Sequence, residues 1–166
     1  MSETEVRAMI AKLENKKMLV SVEEVDLSAF LHDYLLQFYA LGSRENIKFI
    51  TEIGEGMNEY VFIDVDKFQK ILNNYLSNAL KYTAKGGIVK FIANYRLNVL
   101  SIEVADTGRG IHEEDLPYVF DRFYQSNRAD FIVEGGTGIG LSLVKELAEL
   151  MGGKVWANSI FGKGSS

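Results

Sequence analysis

The chain has 166 residues, of which 47% are hydrophobic and 25% are charged, a composition typical of one soluble globular domain. Its net charge of -5 and isoelectric point near 5.1 argue against nucleic-acid binding, which needs basic surface to neutralise phosphates. The sequence has no cysteine for disulfides or thiolate metal sites, no apolar run of about 20 residues for a membrane span, and no signal-peptide pattern. We therefore expect this segment to work in water, in the cytoplasm.

The first part of the chain predicts two helices separated by a short strand. Residues 5–17 carry a narrow apolar stripe at helical spacing, formed by Val6, Met9, Ile10 and Leu13. Such a stripe fits either a terminal helix that packs on its own domain or the end of a longer helical stalk. Residues 18–25 are typical of a strand, and Asp26 or Ser28 can cap a second helix that ends at Gly42.

An alternation of apolar and polar residues begins after this second helix. It covers residues 47–53, and residues 54–58 provide a turn before another strand-like stretch at 60–63. This order predicts a β-hairpin. A third helix, with one broad apolar face, then starts near Asp66 and Gln69, which resemble a capping box.

The second half of the chain predicts strands on both sides of a polar loop and a helix. The glycine pair at 86–87 is expected to end the third helix, ahead of strands at 88–95 and 99–105. A last helix at 139–151 and a strand at 154–159 follow the loop. Because helices and antiparallel pairs are interspersed, we predict an α+β fold with a mixed sheet and helices on one face.

Three polar side chains share one stripe of the third predicted helix, opposite its apolar face. At 100° per residue, Asn74, Asn78 and Lys81 lie within about 60° of one another. An asparagine oxygen can complete a Mg²⁺ shell whose other ligands are waters and phosphates, and a lysine one turn on can meet a phosphate. The same stripe on an isolated helix would also fit an ordinary solvated face.

A carboxylate among small residues follows the strand at 99–105. Asp106 precedes Thr107, and Gly108 and Gly110 allow close approach of the backbone to a ligand. A carboxylate here can accept a hydrogen bond from the exocyclic amine of adenine, whereas guanine would present a carbonyl oxygen and be repelled. The alternative is a turn that the Asp106 side chain stabilises through an Asx hydrogen bond to the backbone of the same turn.

A glycine loop runs directly into the last predicted helix. In residues 135–141 (GGTGIGL), Gly136, Gly138 and Gly140 leave backbone N–H groups unobstructed, and the helix presents its positive end to an anion. The loop is neither a Rossmann fingerprint nor a P-loop, because no strand leads into it and no GK[ST] follows. It therefore indicates a phosphate cradle of another kind, or a flexible linker.

In this order, the stretches resemble the ATP-binding domain of two-component sensor histidine kinases, within the superfamily of gyrase, mismatch-repair and chaperone ATPases. Residues 74–82 (NYLSNALKY) are similar to the N box, 106–111 (DTGRGI) to the first glycine box, 120–123 (FDRF) to the F box and 136–141 (GTGIGL) to the second glycine box. The resemblance covers about residues 26–166. It implies a two-layer α/β sandwich and binding of ATP with Mg²⁺.

The resemblance also implies roles for individual residues. Asn78 corresponds to the Mg²⁺ ligand and Asp106 to the residue that holds adenine, while Asn74, Lys81 and Arg122 are implied in catalysis. The positions implied to bind the nucleotide are Asn74, Asn78, Lys81, Tyr82, Asp106, Gly108, Gly110, Ile111, Gly136, Thr137, Gly138, Ile139, Gly140, Leu141 and Ser165.

The sequence departs from the pattern of the hydrolysing relatives at one position that affects the reaction. Hydrolysing relatives carry a glutamate four residues before the metal-binding asparagine, and this chain has Asn74 there, whose amide cannot act as a general base. This favours slow hydrolysis and phosphoryl transfer to another acceptor, with Lys81, Arg122 and Arg128 as candidate cations. A non-enzymatic nucleotide module and an ATPase clamp are the alternatives.

The acceptor histidine is not recognisable in this sequence. Neither His32 nor His112 lies in a pattern like SHELRTP, so the resemblance implies an acceptor on a separate helical hairpin that also dimerises the full-length protein. Residues 1–17 resemble the end of that hairpin, 18–166 the catalytic domain without its final strand, and 124–135 a mobile lid. A response regulator receiver domain is the implied downstream partner.

Overall fold

The fold combines three α-helices with seven strands in the part of the chain that the computed structural model describes, which is residue 4 and residues 18–54, 56–57, 60–126 and 138–166. The predicted helix and stalk at 5–17 lie outside these residues. In chain order the elements are β1 (Glu23–Asp26), α1 (Leu27–Arg44), β2 (Lys48–Ile53), β3 (Tyr60–Ile63), α2 (Val65–Tyr82), β4 (Ile88–Arg96), β5 (Val99–Asp106), a short 3₁₀ helix (Leu116–Tyr118), α3 (Gly140–Leu150), β6 (Ser159–Ile160) and β7 (Gly164–Ser165).

The main sheet has five strands in the order β2-β4-β5-β7-β6. β2 runs parallel to β4, and the other neighbouring pairs are antiparallel. Val89, Phe91 and Ala93 alternate along β4, have no solvent exposure, and belong to the same core cluster as the buried faces of α1 and α2. The predicted mixed sheet, with helices against one face, is therefore confirmed.

The predicted hairpin between residues 47–53 and 60–63 is wrong. β2 pairs with β4, and β3 pairs with β1 in a separate two-stranded sheet, where Val61 lies opposite Val25. The alternating pattern identified both strands but not their partners, because α2 carries the chain back over the sheet and makes a parallel crossover between β2 and β4.

Further boundaries differ from the prediction, among them the strand at 18–25, which is reduced to Glu23–Asp26. Helix α2 starts at Val65 and not at the capping box near Asp66, because Asp64 caps it by accepting a hydrogen bond from Lys67 N–H at 3.0 Å. The predicted strand at 154–159 is reduced to Ser159–Ile160. Among the described residues, Gly164–Ser165 is the only strand paired with it, so residues 154–157 have no ladder to join.

Helix α2 is anchored at its start by a buried ion pair. Asp64 and Lys67 are 2% and 7% exposed, with Lys67 Nζ 2.5 Å from Asp64 Oδ2, and the same oxygen accepts a hydrogen bond from Ser21 N–H at 2.8 Å. Burial alone would raise the pKa of the Asp64 carboxyl, but the hydrogen bonds from Lys67 and Ser21 and the charge of Lys67 together lower it. This anchor fixes the helix that carries the asparagine stripe.

Candidate functional site

A cavity of about 1350 Å³ includes the space between α2, the end of β5 and the start of α3, and extends along β5 to residues 151–158. Residues of every motif identified in the sequence line this cavity, as far as those motifs lie in the described part of the chain. The predicted site residues that line it are Asn74, Asn78, Lys81, Tyr82, Asp106, Gly110, Ile111, Gly138, Gly140, Leu141 and Ser165.

Some predicted site residues do not line this cavity. Gly108 and Ile139 are buried in the turn and loop behind it. Arg122 forms an ion pair with Glu146 of α3, with both its Nε and Nη2 atoms 2.6 Å from Oε1, and it is not part of the cavity wall. Gly136, Thr137 and Arg128 lie outside the described residues, as does most of the predicted lid.

Asp106 ends β5 and is half-buried at the cavity. It lies directly opposite Ser165 in the strand register, and its Oδ1 accepts a hydrogen bond from Gly108 N–H at 2.8 Å. Burial raises the pKa of the Asp106 carboxyl, and the backbone hydrogen bonds from Gly108 and Ser165 offset part of that rise. Since carboxylate oxygens accept several hydrogen bonds, Asp106 can still accept one from a ligand amine.

The turn after Asp106 packs tightly against two other segments. A Cβ on Gly108 would stand 2.5 Å from the carbonyl oxygen of Tyr82, at the end of α2. Gly110 has a φ of +69°, and a Cβ there would clash with the backbone of Ile160. Only glycine satisfies these positions, so the turn is held between α2 and the β6–β7 hairpin.

The glycine loop meets α2 where α3 begins. A Cβ on Gly140 would stand 2.7 Å from Asn74 Oδ1, while Asn74 Nδ2 donates a hydrogen bond to the Lys70 carbonyl at 2.8 Å. Ile139 occupies the cap position of α3, and its side chain makes no capping hydrogen bond. The first N–H groups of α3 are therefore not satisfied by a capping side chain and can serve an anion.

Asn78 is suited to a hard metal ion by its chemistry and position. It is half-buried, lies one turn after Asn74 on α2, and lines the same cavity as Lys81. In the described residues, no group of three His, Cys, Asp or Glu side chains could hold a metal. A single amide oxygen combined with phosphate and water oxygens is the kind of ligand set that proteins use for Mg²⁺.

Arg109 is a cavity residue that the sequence reasoning missed. Its guanidinium carbon lies 4.6 Å from the centre of the Tyr82 ring, and Lys81 Nζ lies 5.4 Å from the same ring. The signal was present in the DTGRGI stretch, because Arg109 is the basic residue between the two glycines. Asp115 was also missed: it is buried, lines the cavity and accepts a hydrogen bond from Tyr124 OH at 2.7 Å.

No helix among the described residues combines the length and the hydropathy that crossing a membrane requires.

Comparison with known proteins places this geometry in context. A family model described as histidine kinase-, DNA gyrase B-, and HSP90-like ATPase matches residues 63–166. The sensor histidine kinase WalK of Bacillus subtilis strain 168 is 36% identical over 159 residues, which is 95% of this chain. The chain spans only 26% of the length of that kinase.

Two solved structures share the fold. Full-length ShkA in complex with AMPPNP matches with a TM-score of 0.82 and 24% identity, over 96% of this chain and 33% of that one. Histidine kinase ThkA in complex with the response regulator protein TrrA matches with a TM-score of 0.72 and 19% identity, over 98% and 46% of the two chains.

Proposed function

The chain belongs to the histidine kinase-, DNA gyrase B- and HSP90-like ATPase family, and on this basis we propose that its cavity binds ATP with Mg²⁺ and donates the γ-phosphoryl group to a histidine. The acceptor histidine would lie on a separate helical hairpin domain of the same full-length protein. This is the reaction of a sensor histidine kinase in two-component signalling.

The observation that carries the proposal is the convergence of three distant stretches on one cavity. Asp106, Asn78 and Gly140 line it together, although Asp106 is 28 residues from Asn78 and 34 residues from Gly140 in the sequence. They supply an acceptor for the adenine amine, an oxygen for a metal and the N-terminus of a helix for phosphates. ATP needs these three functions in one place.

Each part of the nucleotide has a residue suited to it. Asp106 would accept the hydrogen bond from the exocyclic amine of adenine, and the turn of Gly108 and Gly110 would let the backbone approach the base. The start of α3 at Gly140 would hold the phosphates through backbone N–H groups, with Lys81 adding a positive charge. Gly136 and Thr137 would extend the same phosphate loop.

Mg²⁺ would be held by the Asn78 side-chain oxygen. Bound there with the phosphates, it would supply the charge neutralisation that a loose phosphoryl-transfer transition state requires. The contribution of the chain itself is to fix this oxygen on a helix that is anchored at Asp64 and packed through Leu72 and Leu76, neither of which is exposed.

Asn74 favours transfer over hydrolysis. Its amide nitrogen donates to the Lys70 carbonyl and its oxygen faces Gly140, so this position provides no base to activate water. In the transfer, the bond from the γ-phosphorus to the bridging oxygen of ADP breaks and a bond to the imidazole nitrogen forms. The imidazole proton then leaves to solvent or to a base on the acceptor domain.

The longer relatives support a proposal about the partners and organisation of the full-length protein. We propose that residues 1–17 end the acceptor hairpin, that residues 18–166 form the catalytic domain, and that the full-length protein is a homodimer in the manner of sensor kinases. ThkA was solved in complex with a response regulator protein, and we propose a receiver domain of that class as the next phosphate acceptor. The segment would act in the cytoplasm.

A labelling experiment tests the proposal. The chain is incubated with γ-labelled ATP, Mg²⁺ and the purified acceptor hairpin of the full-length kinase, with a hairpin whose histidine is replaced by glutamine as control. We expect label on the intact hairpin only, stable to base and released by acid as for a phosphohistidine. A chain that binds Mg-ATP tightly and labels neither hairpin would instead be a non-enzymatic nucleotide module.

A further inference from the structure

We propose that Met18 is a positioning residue for the phosphate-binding end of α3. It lies outside the sequence motifs of the site and directly follows residues 1–17, the proposed end of the acceptor hairpin. The inference rests on the proposed function and extends it: the segment by which the chain enters the domain would help to hold the glycine loop in the arrangement that binds the phosphates of ATP.

Helix α3 packs through an apolar cluster that is separate from the main core. Ile139, Leu143 and Leu147 form this cluster, and all three are buried. In the described part of the chain, the partly buried apolar side chains that pack against it are Met18 and Ile71. Ile71 belongs to α2, so Met18 is the contribution of the entering segment to the packing of α3.

This cluster holds the residue that directly precedes Gly140. Ile139 occupies the cap position of α3, and its carbonyl accepts hydrogen bonds from Leu143 N–H at 3.0 Å and from Ser142 Oγ at 2.9 Å. Because the Ile139 side chain is buried in the cluster, the packing of the cluster sets the position of the first N–H groups of α3. A shift in this packing would therefore move the groups proposed to bind phosphate.

The entering segment is held at a second point, three residues after Met18. Ser21 N–H donates a hydrogen bond to Asp64 Oδ2 at 2.8 Å, and Asp64 is the buried cap residue of α2. Because this bond fixes the chain beside α2, Met18 has fewer conformations to lose when it packs against α3. Its neighbour Leu19 is 82% exposed, so the contact with α3 is specific to one residue of the segment.

The loss of Met18 should affect binding of the phosphates and not binding of the base. Asp106, the proposed acceptor for adenine, ends β5, whose apolar residues pack in the main core, whereas Met18 packs against the α3 cluster. If the start of α3 is in its binding position only about one tenth of the time without Met18, the apparent affinity for ATP falls about tenfold. Adenosine has no phosphates and should bind as before.

The test measures the binding of adenosine, and of ATP with Mg²⁺, by calorimetry. The variants are Met18→Ala, Met18→Leu and Leu19→Ala, the last truncating the exposed neighbouring residue. We expect Met18→Ala to weaken ATP binding about tenfold and to leave adenosine binding unchanged. Met18→Leu keeps most of the apolar volume and should bind ATP as the wild type does, and so should Leu19→Ala.

The two ligands separate positioning of α3 from a general effect on the fold. An equal loss of affinity for adenosine and ATP in Met18→Ala would mean that Met18 only stabilises the domain, and unchanged ATP binding would mean that α3 is held without it; either result overturns the inference while the proposed function stands. A wild-type chain that does not bind ATP would overturn both. If chemical denaturation shows that Met18→Ala is unfolded, Met18→Val removes less of the side chain and should show a smaller loss, again for ATP alone.

Discussion

Gly140 at the start of α3 lies against Asn74 of α2, so closely that a Cβ added to Gly140 would stand 2.7 Å from Asn74 Oδ1. Two motifs separated by more than sixty residues in sequence therefore touch at Gly140, where the absence of a Cβ leaves room for the Asn74 side chain. The atom in the way is the end of a side chain, so a methyl group would displace the Asn74 amide and leave the backbone in place.

We expect Gly140→Ala to reduce phosphoryl transfer at least tenfold, while the free energy of unfolding changes by less than about 1 kcal/mol, because alanine is the better helix former at a helical position. Transfer assays and chemical denaturation measure the two effects. The control is the same change in an Asn74→Ala background, where the clash is absent. If Gly140→Ala is as damaging there, the displaced amide is not the cause.

Asp106→Asn should weaken ATP binding by about 1.5–3 kcal/mol, the contribution of a hydrogen bond to a charged group, because the carboxylate acceptor is lost. Calorimetry measures the change, with Asp33→Asn on the exposed side of α1 as the matched control. Affinity equal to that of the wild type would show that Asp106 does not contact adenine.

The pH dependence of binding provides a second measurement on Asp106. Because burial raises the pKa of its carboxyl, the ionised form that accepts the adenine amine is lost at a higher pH than for an exposed aspartate. We expect the ATP affinity of the wild type to fall more steeply on acidification than that of Asp106→Asn. Parallel pH profiles for the two proteins would contradict this.

Asn78→Ala should remove most of the Mg²⁺ dependence of ATP binding and transfer, since it deletes the oxygen proposed to hold the metal. Binding is compared with and without Mg²⁺, and metal-free binding should change little. Asn73→Ala, an exposed asparagine on the same helix, is the control and should behave as the wild type. If Mg²⁺ strengthened ATP binding by Asn78→Ala as much as it does for the wild type, the metal ligand would be another residue.

Asp64→Asn should destabilise the fold by about 3 kcal/mol near neutral pH, because it leaves the buried charge of Lys67 without its partner. Because asparagine can still cap the helix, the loss of folding free energy measures the contribution of the ion pair. Asp66→Asn is the matched control: it breaks the exposed pair with Lys70 on the same helix and should cost less than about 1 kcal/mol.

The same pair gives the stability a defined pH dependence. The pKa of Asp64 is lower in the folded chain than its ordinary value near 3.8, so the unfolded chain takes up a proton first as the pH falls. The stabilisation is therefore complete above pH 3.8 and is lost as the pH falls through the folded pKa. The wild type and Asp64→Asn should converge in acid, and a constant difference would rule out ionisation as the source.

Local patterns predicted the fold where the partners are close in sequence. The strands predicted at 88–95 and 99–105 pair with each other as β4 and β5, which are joined by two residues, whereas β2 was given the wrong partner because its true neighbour lies beyond α2. The resemblance to sensor histidine kinases is confirmed by the family match and by the kinase relatives. Helical spacing correctly placed Asn74, Asn78 and Lys81 on one cavity wall.

Other features of the site depend on packing that no local pattern reveals. Arg122 pairs with Glu146 because α3 returns beside it, 24 residues later. Arg109 reaches the cavity because its turn is held between Tyr82 and the β6–β7 hairpin. The positions of both arginines are consequences of tertiary contacts. The sequence motifs contain these two residues, but a motif alone does not tell whether either residue lines the site.

The most direct test of the account follows the γ-phosphate of ATP in one reaction. The chain is mixed with labelled ATP, Mg²⁺ and the acceptor hairpin, and label on the hairpin and label released as inorganic phosphate are counted over time, with and without the hairpin. We predict that most transferred label appears on the acceptor histidine and that little phosphate is released when the hairpin is omitted. Rapid phosphate release without the hairpin, abolished by Asn74→Ala, would contradict the account and identify an ATPase.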